Sequence, residues 1–363
     1  MSFDGQVVRR PSPRAAALLE RCVPVRVTDM RGVDLARWRF DWDLTFAAVV
    51  AHPDGTIHHR YGGRDDRGAD HWLTEASYVA FLEAGLATHH AYLRGATPAP
   101  ELDPPLRIEE VPAFARKDKG ECIHCHSVYP ALHEEARKRG GWSLADVWVH
   151  PPPGRIGIDL DRDEQRRVLR VDEGSAAERA GVRVGDRLTR LGRVPLATAS
   201  DLMAALDELP NAGARAPLVV ERGDGEVTLD LALEAGWRVG TTEEFAWRPT
   251  KWGLTPAPGF GGPQLDAGDK RALGLAPDAF AFRIQYFVTW NENRRYGQAA
   301  GRAGLRSGDV VVGLKIDGEA KRDFAGQEHF HAWWRLTLRP GDDVEVLVLR
   351  AGEEQGLPIE VLP

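Results

Sequence analysis

Cysteine is almost absent from this chain. Three thiols in 363 residues cannot build a disulfide framework, so the fold must be held by burial of apolar surface. Long apolar runs are missing too: the stretch 44–51 is broken by Thr45 and falls far short of the roughly 20 residues that cross a bilayer. No transmembrane segment is expected. No cationic and apolar leader follows Met1, so the sequence as given carries no export signal and reads as cytoplasmic if its start is the true one. Runs of one charge are lacking as well. The 47 Lys and Arg are interspersed with 54 Asp and Glu for a net charge of -7, which excludes a general nucleic-acid binder. There is no Gly-x-Ser-x-Gly segment and no Ser, His and Asp set on a recognisable scaffold, so a serine protease is disfavoured. What is present, 43% apolar and 28% charged positions, gives room for two or three domains.

The chain repeats itself. Ala176-Ala177-Glu178-Arg179-Ala180-Gly181-Val182-Arg183-Val184-Gly185-Asp186 returns as Ala299-Ala300-Gly301-Arg302-Ala303-Gly304-Leu305-Arg306-Ser307-Gly308-Asp309. In each copy a short helix ends at a glycine able to take a left-handed conformation, and Gly-Asp turns into the next strand. Strands are expected before each copy, at 167–171 and 280–288, and after each, at 187–193 and 310–318.

This pattern resembles the PDZ domain, of the kind found in bacterial envelope proteases. Arg155-Ile156-Gly157-Ile158 looks like that family's carboxylate-binding loop, and 200–209 looks like the helix bordering its peptide groove. The resemblance implies binding of protein or peptide termini through Ile156, Gly157 and Ile158, with Ser200 and Met203 shaping the groove by strand addition. The competing reading is a packing module whose groove is filled by its own chain. In the second copy, Leu273-Gly274-Leu275 and 326–338 are assigned the equivalent places, with Trp290 to Tyr296 inserted before the short helix and His329, His331, Trp333 and Trp334 on the groove helix.

Toward the N-terminus the expected order begins with a helix at 13–21, a strand at 23–27, and a buried strand at 44–51. A turn at His52-Pro53-Asp54-Gly55 leads to a hairpin strand at 56–61, and an amphipathic helix spans 74–93. This succession looks like the C-terminal half of a thioredoxin fold, with Asp43-Leu44-Thr45-Phe46 at the strand opening where thioredoxins carry a cis-proline. No proline precedes Thr45, and 9–14 holds no cysteine where a redox dithiol would sit. Such a unit is expected to bind or pack. Cys22 reads as a buried small apolar residue. Of the pairs His58-His59 and His89-His90, the first cannot chelate together from a strand, because neighbours point to opposite faces.

Prolines at 98, 100, 104, 105 and 112 suggest a stiff linker ahead of Cys122-Ile123-His124-Cys125-His126, expected to begin a helix from Gly120 to about Arg139. Cys-x-x-Cys-His is the attachment sequence of haem c: thiols one helical turn apart reach two vinyl groups, and the adjoining histidine faces the iron. That reading assigns Cys122 and Cys125 to thioether bonds and His126 to the metal, with His150, His133 or Met203 among candidate sixth ligands. Rival readings are a catalytic redox dithiol of Cys122 and Cys125, a zinc or copper site including His126 or His124, and an inert sequence. Covalent haem attachment is extracytoplasmic, so it would require a longer N-terminus than the one given.

In order along the whole chain, these features resemble a bacterial group of thioredoxin-like and PDZ proteins, some of which carry selenocysteine. The expected fold class is a multidomain chain of α/β and β character: a degenerate thioredoxin-like domain (1–97), a linker with a CxxCH helical segment (98–150), a PDZ domain (151–240) and a second PDZ domain with an insertion (241–363). The resemblance implies a periplasmic or envelope protein that binds peptide segments and has a haem-linked or redox role. A non-catalytic interaction scaffold with an inert or structural metal motif is the alternative.

Overall fold

In the computed structural model, residues 11–95, 104–115 and 122–363 are described. The chain divides into two compact units, Met1–Gly240 and Thr241–Pro363.

The first unit opens with α1 (Pro13–Leu19), whose N-cap Ser12 accepts the Ala15 amide. Strands β1 (Ala48–Ala51) and β2 (Ile57–Tyr61) form an antiparallel hairpin, closed where Gly55 takes φ +96°. Helix α2 (Glu75–Leu93) starts at Thr74, which exchanges capping bonds with Ser77. Phe81, Leu82 and Leu86 of α2 pack with Ala15, Leu18 and Tyr61. The expected strand at 23–27 does not form: Val23 and Val25 are 88% and 80% exposed, so nothing covers its β-branched side chains. The strand expected at 44–51 is only β1, half-buried throughout. Among the described residues of this segment the sheet has two strands.

Helices α3 (Pro112–Ala115) and α4 (Val128–Lys138) border a second cluster, in which Met30, Trp42, Ile108, Ile123 and Tyr129 meet. The helix expected from Gly120 begins later. Gly120 and Glu121 lie outside the described residues, His124 is extended, and a single 3-10 turn, Cys125–Ser127, precedes α4.

A 3-10 turn, Pro153–Ile156, leads into β3 (Ile158–Leu160), which pairs with β4 (Val168–Val171). Then follow α5 (Ala176–Ala180), β5 (Arg187–Leu191), β6 (Val194–Pro195), α6 (Ala199–Asp207), β7 (Ala214–Arg222) and β8 (Gly225–Leu233). The last four strands form one sheet in the order β6-β5-β7-β8. Sheet residues Leu188, Leu218, Val220 and Leu231 close over Leu202 and Leu206 of α6 and over Ile156 and Val168.

The second unit contains α7 (Thr242–Phe245), β9 (Phe260–Gly261), α8 (Ala267–Ala272), β10 (Phe282–Arg283), β11 (Tyr286–Phe287), α9 (Arg294–Arg302), β12 (Val310–Ile316), β13 (Glu319–Lys321), α10 (Gln327–Thr337), β14 (Asp343–Arg350) and β15 (Glu353–Glu360). Its main sheet runs β10-β12-β14-β15, with β13 on β12, and β9 pairs β11 separately. Phe282, Phe330, Trp334, Val346 and Val348 form the centre. Of the insertion expected at 290–296, Arg294 to Tyr296 form the first turn of a longer helix, α9, and 290–293 precede it.

Candidate functional site

The repeated sequence makes the same local geometry in both units. Gly181 ends α5 at φ +89° and Gly185 turns at φ +92°; Gly304 and Gly308 stand at +85° and +94°. The buried Asp186 carboxylate takes two guanidinium bonds from Arg222 (2.8 and 2.7 Å) and the Arg183 amide (2.8 Å), while Arg222 also donates to the Gly181 carbonyl. Asp309 receives the same from Arg350 and Arg306, and Arg350 reaches the Gly304 carbonyl. The Gly-Asp of the motif is therefore a clamp between the turn and the last-but-one strand. Burial works to raise the Asp186 carboxyl, but the Arg222 guanidinium and the Arg183 amide outweigh it and hold it below the usual range.

Groove-equivalent positions also correspond. Gly157 stands at φ +80° and its carbonyl accepts the Asp172 amide at 2.8 Å; Gly259 stands at φ +80° and accepts the Val288 amide at 2.8 Å. The segment matching Gly157-Ile158 is thus Gly259-Phe260. Leu273-Gly274-Leu275, expected there, instead follows α8, because sequence spacing gave no sign of the stretch between β9 and β10.

In the first unit Ile156, Ile158 and Met203 share one apolar cluster, and these three, Gly157 and Ser200 are all buried. Their cover is the chain itself. Trp72, fully buried, joins the core formed by Ile156, Ile158 and Met203. Its indole donates to Asp65 (3.0 Å) under the Arg67 guanidinium. Gln165 spans the region: its amide nitrogen donates to the Trp72 carbonyl (2.5 Å) and its oxygen accepts the Ala199 amide at the start of α6 (3.0 Å). Arg162 donates to the carbonyls of His71 and Asp70, and Arg67 pairs with Asp159 on β3 (2.8 Å). Ser200 and Met203 also face Ala47, Ala48, Tyr61 and His150 across a space of about 10 Å³, too small for any peptide side chain. The amides of Arg155 and Gly157 donate to the Pro152 and Gly154 carbonyls.

Trp72, Arg162, Gln165 and Asp201 escaped the sequence reading. Asp201 stands three residues after Thr198, the N-cap spacing, and Thr198 does cap its amide. Yet the Asp201 carboxylate reaches outward, to the ring of His59 (2.7 Å) and the amides of Arg60 and Ala197. His59 also meets Thr88 at 2.9 Å. With His59 and Asp201 both buried, this hydroxyl, imidazole and carboxylate series rivets α2, β2 and α6 together. His58, at the register shift of the hairpin, meets His89 of the same helix as Thr88 (3.1 Å). Burial, aided by neighbouring His89, His59 and His52, lowers His58 to about 4.

At the CxxCH segment Cys122 is exposed and Cys125 half-buried, both as free thiols. The Ile123 amide donates to Asp29 (3.1 Å); the Arg31 and Ile123 amides hold that carboxyl below its usual range, with the Cys122 side chain also bonded to it. Cys125 packs into the apolar cluster around Trp42 and Tyr129, and burial pushes its thiol up. Its Sγ and the His126 Nε2 both face the Leu44 carbonyl, at 3.8 and 3.3 Å. These residues do not fit a porphyrin: the two thiols do not share a helical turn, and Cys125 and His126 converge on one backbone oxygen. His133 stacks on Tyr129, the His150 amide bonds Asp207, and Met203 lies in the core of the first unit. Among the described residues no group of three His, Cys, Asp or Glu is placed to hold a metal ion, and no helix is long and apolar enough to cross a membrane.

Residues 167–222, from β4 through β7, match the PDZ domain family. No curated protein matches the chain. A PDZ domain is therefore found within the first unit, and it marks a protein-interaction role; the matched span contains Ser200 and Met203, while Ile156, Gly157 and Ile158 lie just ahead of it.

Proposed function

We propose that this chain is a protein-interaction protein of an extracytoplasmic compartment, in which PDZ domains seat polypeptide segments and Cys122 and Cys125 form an associated thiol–disulfide pair. The observation that carries the interaction role is the PDZ match over 167–222. The clamp of Asp309 and Arg350, copying Asp186 and Arg222 bond for bond, supports a second PDZ domain over 241–363. The β1–β2 hairpin under α2 is the portion a degenerate thioredoxin-like unit would retain. Its role here is packing.

The pairing of an exposed Cys122 with a half-buried Cys125 whose thiol is pushed up favours a dithiol over haem. In such pairs the exposed thiolate attacks a protein disulfide and releases one substrate thiol. The Cys125 thiolate then attacks the Cys122 sulfur of the mixed disulfide and displaces the second substrate thiolate, so two electrons pass to the substrate and a Cys122–Cys125 disulfide remains. Equilibration of the protein in glutathione buffers, followed by alkylation and mass measurement, tests this. The expected result is a reversible two-electron couple lost in both Cys122→Ala and Cys125→Ala; the absence of a couple in the physiological range removes the redox role, and a Soret band surviving acid extraction replaces it with haem.

A further inference from the structure

The groove read above as the interaction site has an occupant. We infer that the ligand of the β3/α6 groove is the chain's own segment 63–73, anchored by Trp72, and that this cis ligand excludes foreign peptides until it is displaced. The inference rests on the PDZ reading and adds the identity of the ligand.

Contacts to this segment are of the kind that recognise an internal stretch rather than a chain end. The anchor is a side chain: Trp72 is fully buried among groove residues. Three successive backbone carbonyls, of Asp70, His71 and Trp72, are read by Arg162 and Gln165. Gln165 links the segment to α6 and Arg67 links it to β3 through Asp159, so both walls of the groove are held by the same stretch. Gly63 permits the approach: at φ +96°, an added Cβ would sit 3.1 Å from the Trp72 ring and 3.4 Å from Ser200 Oγ. Meanwhile the loop amides of Arg155 and Gly157 are turned to carbonyls of their own turn, which leaves a terminal carboxylate less to bind.

The second unit has a looser counterpart. Met203 and Asp207 follow the core residues Leu202 and Leu206 on α6 as His331 and Arg335 follow Phe330 and Trp334 on α10. Against His331 and Arg335 lies Trp252, at 5.1 Å from the imidazole and 5.0 Å under the guanidinium. Trp252 is 44% exposed, so it touches α10 from the surface, unlike the fully buried Trp72.

A tethered segment acts at an effective concentration of about millimolar, and a foreign peptide binds only in the fraction of molecules whose groove is open. The test uses a fluorescein-labelled synthetic peptide of residues 63–73, followed by anisotropy against the full chain. Trp72→Ala is expected to bind it at least 100-fold more tightly than the unmodified protein, and the same peptide with alanine in place of its tryptophan is expected not to bind. Should Trp72→Ala fail to fold, the double variant Arg67→Ala, Arg162→Ala decides: binding tighter than the unmodified protein by about tenfold or more supports the inference, and equal binding overturns it. A library of peptides with free carboxyl termini separates this inference from the interaction role. Binding of a library member to the unmodified protein, with cross-links that map to β3 and α6, overturns the cis ligand and leaves the PDZ role standing. Failure of both probes on every folded variant removes the groove as a binding site, and the inference with it.

Discussion

Single residues carry much of the specification here, and glycine 157 shows how. Its φ of +80° and the 2.0 Å that would separate an added Cβ from the Ser175 side chain mean that any other residue must both strain the backbone and push the cap of α5 aside. Gly157→Ala is expected to cost roughly 3 kcal/mol, read as a fall in the denaturant midpoint at unchanged slope. Gly185 also has positive φ, but nothing lies within 4 Å of its would-be Cβ. Gly185→Ala should therefore cost only the conformational part, about 1–2 kcal/mol. If the two variants are equally destabilised, the close approach of Ser175 is not what matters at 157. At Asp186 the chemistry is different: the carboxylate is 2% exposed and its charge is met by Arg222. Arg222→Ala leaves it with only the Arg183 amide and is expected to lose about 2 kcal/mol, with the loss largest near neutral pH, where the carboxylate is fully charged.

Elements were legible where a local signal defined them. Gly181 marked the end of α5, and Asp54-Gly55 marked the hairpin. Each signal is a capping or turn preference that acts over four residues. The failures were at positions decided by distant partners. Val23 to Val27 has strand composition but no neighbouring strand, and Cys122 to Cys125 is held by Asp29 and Leu44, roughly 80 to 95 residues away in sequence. The groove was legible as a wall of residues and illegible as an occupied one, since Trp72 meets it across more than 80 positions. Packing of β2 on α2 also fixes how acid acts on this layer. His58 is held near 4 by burial and by the histidines around it, and His133, buried on α4, likewise near 4. Both take up a proton in the unfolded chain near pH 6.5 but in the folded chain only near pH 4, so stability present above 6.5 is lost as pH falls across that window. The effect is on the order of 2–3 kcal/mol per histidine at most. Urea midpoints measured from pH 7 to pH 4 are expected to fall, and the fall should be shallower in His58→Gln. An unchanged slope in that variant would falsify the assignment to His58.

At the scale of the molecule, the two units hold separate cores. Leu188, Leu218 and Leu231 belong to one, and Phe282, Phe330 and Trp334 to the other, with no core residue in common. Each carries its own Asp–Arg clamp. Cooperativity follows buried contacts, so unfolding is expected in two steps, one for each unit. The clamps provide a way to assign them. Arg222→Ala should lower one calorimetric transition by roughly 5–10 °C and Arg350→Ala the other, given about 2 kcal/mol for either loss. The Trp72→Ala variant belongs with the first transition, because its anchor lies among Ile156, Ile158 and Met203. A single transition shifted equally by both arginine variants would mean that the two cores unfold as one, and the repeat would then be a feature of sequence and local geometry without being a division of stability.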